Sequence, residues 1–256
     1  MQLIDRYAYA TKIRTVDPGH KAALAVLVLT LCLVLDKPAV GFLTALGMWA
    51  LACLWAATPP LIFARILAAE GVFLALTAAG VALSAGAGSH PSGMWSVGLG
   101  AVWIGADAAS LVTAERLVSR ALGGAAAMNF LALTTPMVDL LEVARRIRLP
   151  ALLCDLMTVV YRFTFTLLDS LERMHTAQES RLGYVNLRRG TASAGLLGGQ
   201  LFLDAYRRSK RLETALQSRA YRGEFRVLPI TYRSDPQLYY AGACLVIALL
   251  LAWSIT

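Results

Sequence analysis

The chain predicts an all-α membrane protein with about five transmembrane helices and long amphipathic cytoplasmic helices that cross each other. Three observations carry that reading. The 256 residues are 57% hydrophobic and only 16% charged, where soluble domains carry about 25% charged residues. Five apolar segments, at 22–36, 39–57, 66–85, 95–113 and 237–255, approach the roughly 20 residues that cross a bilayer core of ~30 Å. Between the fourth and fifth lies a charged block, residues 114–236. It holds 18 of the 24 Lys and Arg and 11 of the 16 Asp and Glu, a net +7 of the chain's +8. One charge at the bilayer centre costs about 2.5–3.5 kcal/mol, so this block belongs at or beneath the cytoplasmic surface. Three regions follow: transmembrane helices over 1–113, a cytoplasmic and interfacial region over 114–236, and a last transmembrane helix over 237–256.

The first span stops at Asp36-Lys37-Pro38, a turn that predicts a tight hairpin with the second. Arg6, Lys12, Arg14 and Lys21 precede the first span, Arg65 follows the second, and Arg116 and Arg120 follow the fourth. The loop at 86–94 has no lysine or arginine. The positive-inside rule therefore places the N-terminus in the cytoplasm, residues 86–94 outside and the C-terminus in the periplasm. Residues 1–20 carry both signs of charge and lack a cleavable-signal pattern. Leu122 to Pro136 is apolar enough to rest in the interface or to re-enter the membrane.

Two long helices fill the charged block. From Pro150, suited to open a helix, to Arg181 there is no further proline and no glycine. Asp155, Thr158, Arg162, Thr166, Asp169, Arg173, Thr176 and Ser180 recur every three or four residues. They form one polar face of a helix. Leu152, Leu153, Leu156, Met157, Val160, Phe163, Leu167, Leu171 and Met174 form the other face, expected to pack. Gly183 is the expected helix stop. A second helix is expected from about Ala194 to Tyr221. Its packing stripe reads Gly198, Leu201, Ala205, Ser209, Leu212, Leu216 and Ala220, with Arg207, Arg208, Lys210 and Arg211 opposite. Small residues in that stripe favour a steep crossing of about 50°. Asp235-Pro236 is expected to cap the final span.

Both long helices end alike. Ala177-Gln178-Glu179-Ser180-Arg181 closes the first and Ala215-Leu216-Gln217-Ser218-Arg219 the second, a shared Ala-x-x-Ser-Arg. A lone arginine in a last helical turn merely complements the helix dipole, worth about 0.3–1 kcal/mol. Its repetition, with alanine leaving room and serine adding a hydrogen bond, describes a gripping surface. A guanidinium offers a planar fork to carboxylates or carbonyls of a partner.

Other chemistries lack their residues. Cys32, Cys53, Cys154 and Cys244 are far apart, form no CxxC and read as small buried hydrophobes. His20, His90 and His175 form no metal-ligand cluster, and no GxxxxGK[ST] phosphate loop occurs. Glu142-x-x-x-Arg146 lacks the further glutamates and histidines of membrane peptidases, and no DDxxD is present. The basic excess comes without a nucleic-acid motif, and anionic lipid accounts for it. A self-sufficient carrier would need charge inside its spans, and Asp107 is the residue to examine for that alternative.

The tips carry a family resemblance. With Thr135-Pro136, Ala144-Arg145-Arg146, Leu149-Pro150, Tyr161-Arg162-Phe163 and Glu172-Arg173 before them, they resemble the T component, the transmembrane coupling subunit, of energy-coupling factor (ECF) transporters. The likeness is greatest to its cobalt-type CbiQ branch and covers about residues 130–225. Leu182 and Ala220 stand where many members have glycine.

The resemblance implies a bacterial inner-membrane scaffold of an ABC-type importer for cobalt ions, with nickel or vitamins as alternative substrates. It implies coupling helices that cross in an X and dock their tips on two ABC-type ATPase subunits. Ala177, Ser180, Arg181, Ala215, Ser218 and Arg219 would make that contact, supported by Gln178, Glu179, Leu182, Gln217 and Ala220. It also implies a separate substrate-binding membrane subunit (the S component), with a small accessory membrane subunit in some cobalt systems. The chain itself would be non-catalytic and hold no cofactor or metal, ATP and Mg²⁺ sitting on the ATPases.

Overall fold

The computed structural model describes residues 7–87, 95–99, 102–106, 108–221, 232, 233 and 235–255. A 3₁₀ turn at Lys12–Thr15 leads into α1 (Pro18–Val34), α2 (Pro38–Leu54) and α3 (Pro60–Ala82). A small antiparallel sheet follows, of β1 (Leu83–Ala87), β2 (Trp95–Leu99) and β3 (Val102–Ala106), in the order β1-β3-β2. Then come α4 (Ala108–Thr134), α5 (Met137–Arg146), α6 (Ala151–Glu179), α7 (Leu187–Gln217) and α8 (Pro236–Ile255). The fold class is all-α apart from that sheet.

The helices α3, α4, α6 and α8 are long and apolar enough to cross a membrane by length and composition, and α1 and α2 are apolar helices of 17 residues. The chain is a multi-pass membrane protein. It divides into two compact units, residues 1–140 with 230–256, and residues 141–229.

The first unit is a helical bundle. Its core is built from Val28, Val40, Met48, Phe63, Phe130 and Leu249, all buried. Outward apolar residues such as Phe73 and Leu76 on α3 and Leu251 on α8 are exposed, as a lipid-facing surface should be. Helix starts follow the sequence. Pro18 and Pro38 open α1 and α2, and the Asp17 carboxylate accepts from Gly19 N at 2.8 Å. Asp235 caps α8 through Gln237 N at 3.1 Å.

The α2–α4 crossing is made backbone to backbone. A Cβ on Gly41 would overlap the Ser119 carbonyl, and one on Gly123 would meet Cys32 Sγ at 2.6 Å and Gly41 O at 2.9 Å. Small residues allow such approach between membrane helices.

Several expectations are corrected. The span expected at 95–113 holds β2 and β3, and its helix begins only at Ala108. Residues Leu122–Pro136 do not form a separate interfacial segment. Gly123, Ala126, Ala127, Phe130 and Leu133 are buried along the continuous helix α4. Asp107 lies outside the described residues, as does most of the 86–94 loop. Of the cysteines, Cys32 and Cys154 are buried, Cys53 is intermediate and Cys244 is exposed.

Lys21 and Arg120, expected as flanking charges, instead close helix ends, as does Lys37 from the turn between α1 and α2. Lys21, 0% exposed, donates to the Thr134 carbonyl that ends α4 (3.3 Å) and to Ile13 O (2.8 Å). Lys37 Nζ donates to Trp253 O in the last turn of α8 at 3.1 Å. Arg120 donates to Leu33 O near the end of α1 and pairs with Asp36 at 3.7 Å. Where water is scarce, terminal carbonyls need partners from the protein, and a cation suits the negative helix end. These contacts also fix direction. Arg120 lies beside the end of α1 and Thr134 beside its start, so α4 runs antiparallel to α1. Arg120 is therefore at the bundle end opposite Lys21, not on the same side as the sequence reading placed it.

Candidate functional site

The second unit carries the two long helices. Pro150 is the N-cap of α6, one residue ahead of the helix it was expected to begin. The preceding turn uses Arg148 at φ 63°. Arg145 on α5 then donates to Asp155 on α6 at 2.9 Å, with side chains 30% and 6% exposed. This pair fastens the base of α6. Arg145→Ala, which removes the guanidinium beside a buried carboxylate, should cost about 1–3 kcal/mol. A thermal melt of the purified chain in detergent checks it.

The apolar face of α6 is only partly packed. Phe163, Leu167, Leu171 and Met174 are half-buried, while Leu152, Leu153, Leu156, Met157 and Val160 are exposed. Helix α7 begins at Leu187, earlier than expected, because its Gly190 N already bonds Asn186 O at 2.8 Å. Its inward stripe is Ser193, Leu197, Leu201, Asp204, Ala205, Arg208, Leu212 and Leu216. Gly198, Ser209 and Ala220 of the expected stripe are exposed, and Arg208, expected opposite, faces in.

The reason is a polar pin. Arg208 Nε donates to Asp204 Oδ2 at 2.9 Å, and its Nη2 donates to Ser170 Oγ of α6 at 3.2 Å. Arg173 Nη2 donates to the same hydroxyl at 3.2 Å. Ser170 is small and buried at this contact. The Arg208 hydrogen bond holds the Asp204 carboxyl below the ordinary carboxylate range, with Ser170 assisting. Its contribution is complete above the ordinary value of about 4 and is lost as pH falls through the lowered one. At 1.5 Å per residue, Ser170 lies about 14 Å from the end of α6 and Asp204 about 26 Å into α7.

The two arginine tips share one backbone geometry. At the first, Gly183 N donates to Gln178 O and Leu182 N to Glu179 O, both at 2.9 Å. At the second, Tyr221 N donates to Leu216 O and Ala220 N to Gln217 O, both at 3.1 Å. Each is the paired closure of a Schellman motif. Leu182 at φ 58° and Ala220 at φ 53° take the left-handed position, which costs a residue with a Cβ about 1–2 kcal/mol. Gly183 is therefore not the left-handed stop. It is needed for space, since a Cβ there would meet Ser193 Oγ at 2.8 Å and Gln178 O at 2.9 Å.

Ser180 Oγ donates back to Ala177 O and Ser218 Oγ to Ala215 O, both at 3.0 Å. The hydroxyls thus tighten the last turns. Ala177, Glu179, Ser180, Arg181, Ala215, Gln217, Ser218, Arg219 and Ala220 are all exposed. The left-handed residue turns the chain away immediately after each arginine, which leaves Arg181 and Arg219 exposed at their helix ends.

The first tip is also braced by residues that the sequence reading passed over. Tyr184 donates to Gln178 Oε1 at 2.7 Å and stacks on His175 at 4.8 Å between ring centroids. An open groove of about 560 Å³ runs along α6 past Asp169, Glu172 and Arg173 to Ala177 and Ser180. Among the described residues, no three His, Cys, Asp or Glu side chains assemble as a metal site. The one legible signal for the pin was the Asp204–Arg208 spacing, which suits an i,i+4 ion pair.

The family model described as CbiQ, cobalt transport protein, matches residues 10–229. The chain is similar to cobalt transport protein CbiQ of Rhodobacter capsulatus, 40% identical over 48% of this chain and 50% of that one. It is similar to cobalt transport protein CbiQ of Salmonella typhimurium, 28% identical over 87% of this chain and 98% of that one. It also resembles the energy-coupling factor transporter transmembrane protein EcfT of Ruminiclostridium cellulolyticum, 35% identical over 36% of each chain. The matched stretch thus spans half or less of two of these relatives and nearly all of the Salmonella protein. With that match covering most of its length, and with two long helices ending in twin arginine tips, the chain belongs to the CbiQ family of cobalt transport proteins.

Proposed function

We propose that this chain is the coupling subunit of an ATP-driven cobalt importer in the bacterial inner membrane. Two ABC-type ATPase subunits engage the Arg181 and Arg219 tips. Their nucleotide-driven closure moves α6 and α7 about the Ser170 pin, and the motion reaches a separate membrane subunit that binds the ion. The chain catalyses nothing and holds neither nucleotide nor metal, both of which belong to its partners. Residues 1–20 and the tips face the cytoplasm.

The observation that carries this reading is the repetition of one tip geometry at the ends of two different helices. A structural accident has no reason to reproduce the sequence, the left-handed residue, the paired closure and the serine back-bond together. Twin exposed guanidiniums suit two like docking grooves.

The test is co-expression with a candidate ATPase and a cobalt-binding membrane subunit. The expected result is a complex that copurifies and accumulates Co²⁺ only with hydrolysable ATP. Uptake by this chain alone in liposomes overturns the reading.

A further inference from the structure

Both connections to the tip-bearing unit are tied down at one place in the bundle. The chain leaves the bundle unit after Leu140 and re-enters it at Ile230. Just before the exit stand Thr134 and Asp139, and just after the return stand Tyr232 and Arg233. All four belong to one cluster around buried Lys21. Lys21 Nζ holds Thr134 O and Ile13 O, and the carboxylates of Asp139 and Asp17 offset its charge. Tyr232 donates to Asp139 Oδ1 at 3.0 Å, which joins the returning segment to the departing one. Arg233 N donates to Thr15 O at 2.8 Å and Asp17 N to Arg233 O at 3.2 Å, so a parallel bridge joins the return to the stretch ahead of α1.

Such a cluster is stiff. Its buried groups are mutually satisfied, and in a low-dielectric setting loss of one partner leaves another exposed to the full cost of burial. Any displacement of the exit segment therefore pulls on Lys21 and Thr134, and through them on α1 and α4 together. The return segment is pulled with it through Tyr232.

We propose that this clasp is the joint through which movement of the helical unit enters the membrane bundle, with Lys21, Asp139 and Tyr232 as its positioning residues. The inference rests on the coupling function proposed above. Coupling energy travels through packed networks with discrete arrangements, and this one spans both chain crossings.

The test uses the full complex in proteoliposomes, with Tyr232→Phe, Asp139→Asn and Lys21→Met. Tyr232→Phe is the decisive variant, because it removes one hydroxyl and keeps the ring. The expected result is an assembled complex with an unchanged melting temperature and ATP hydrolysis within about twofold of the unsubstituted complex. Ions moved per ATP should fall at least about fivefold. A Tyr232→Phe complex that keeps its transport-to-hydrolysis ratio overturns the joint. So does one whose transport and hydrolysis fall together with its melting temperature. An unsubstituted chain that brings down no ATPase overturns the coupling reading and the joint with it, and is distinguished by that first step.

Discussion

Changing Arg181 and Arg219 to alanine together should leave a folded, membrane-inserted chain that no longer retains its ATPase partners. Both side chains are exposed at helix ends, so the free chain has little to lose. The tip backbones are closed by their own N–H···O=C bonds and by Ser180 and Ser218, none of which uses a guanidinium. Loss of a charged contact that becomes buried on docking costs about 2–5 kcal/mol. At 1.4 kcal/mol per factor of ten, each arginine is then worth roughly 30-fold or more in affinity.

The measurement is the ATPase retained after affinity purification, together with ion uptake by the complex. Each single variant should show a partial defect and the pair nearly complete loss. Leu182→Gly with Ala220→Gly is the control. Glycine relieves the left-handed strain at φ 58° and 53° and should preserve docking. Full assembly and uptake by the double-alanine chain would end the coupling assignment.

Gly41→Val should dismantle the bundle. The first side-chain carbon would already overlap the Ser119 carbonyl of α4, and a backbone group cannot swing aside as a rotamer can. Overpacking typically costs 1–3 kcal/mol. A rigid backbone contact puts this site at about 3 kcal/mol or more. Even Gly41→Ala should lower the melting temperature in detergent. Gly71→Ala and Gly80→Ala provide the contrast, since a Cβ at either meets nothing within 4 Å and alanine is the better helix former. If Gly41→Ala and Gly71→Ala melt alike, the backbone-to-backbone crossing is not what holds α2 to α4.

Composition and periodicity were sufficient for the class of the molecule. Apolar runs located α2 and α8 to within three residues, and α1 and α3 with starts four and six residues late, because lipid demands length and apolarity whatever the neighbours are. The Ala-x-x-Ser-Arg repeat exposed both tips, because helix closure is local. The structure then revealed that Leu182 and Ala220 adopt the left-handed form without glycine.

Where two segments meet was not legible. The run 95–113 is apolar enough for a span, yet residues 95–99 and 102–106 within it pair as β2 and β3, and hydropathy alone does not separate strand from helix in so short a run. On α7, the expected and observed stripes share Leu201, Ala205, Leu212 and Leu216, and at 100° per residue their centres differ by roughly 60°. Only the meeting with Ser170 selected the one containing Arg208, and the Asp204 partner makes a guanidinium tolerable there. Lys21 and Arg120 looked like charges flanking spans and Lys37 like part of a turn, but each closes the carbonyl end of a neighbouring helix. Chain-local physics, meaning hydrophobicity, helical period and end closure, was already written in the order of residues. Which face turns inward and which cation serves which helix end depend on groups distant in sequence, and those were settled only when the helices packed.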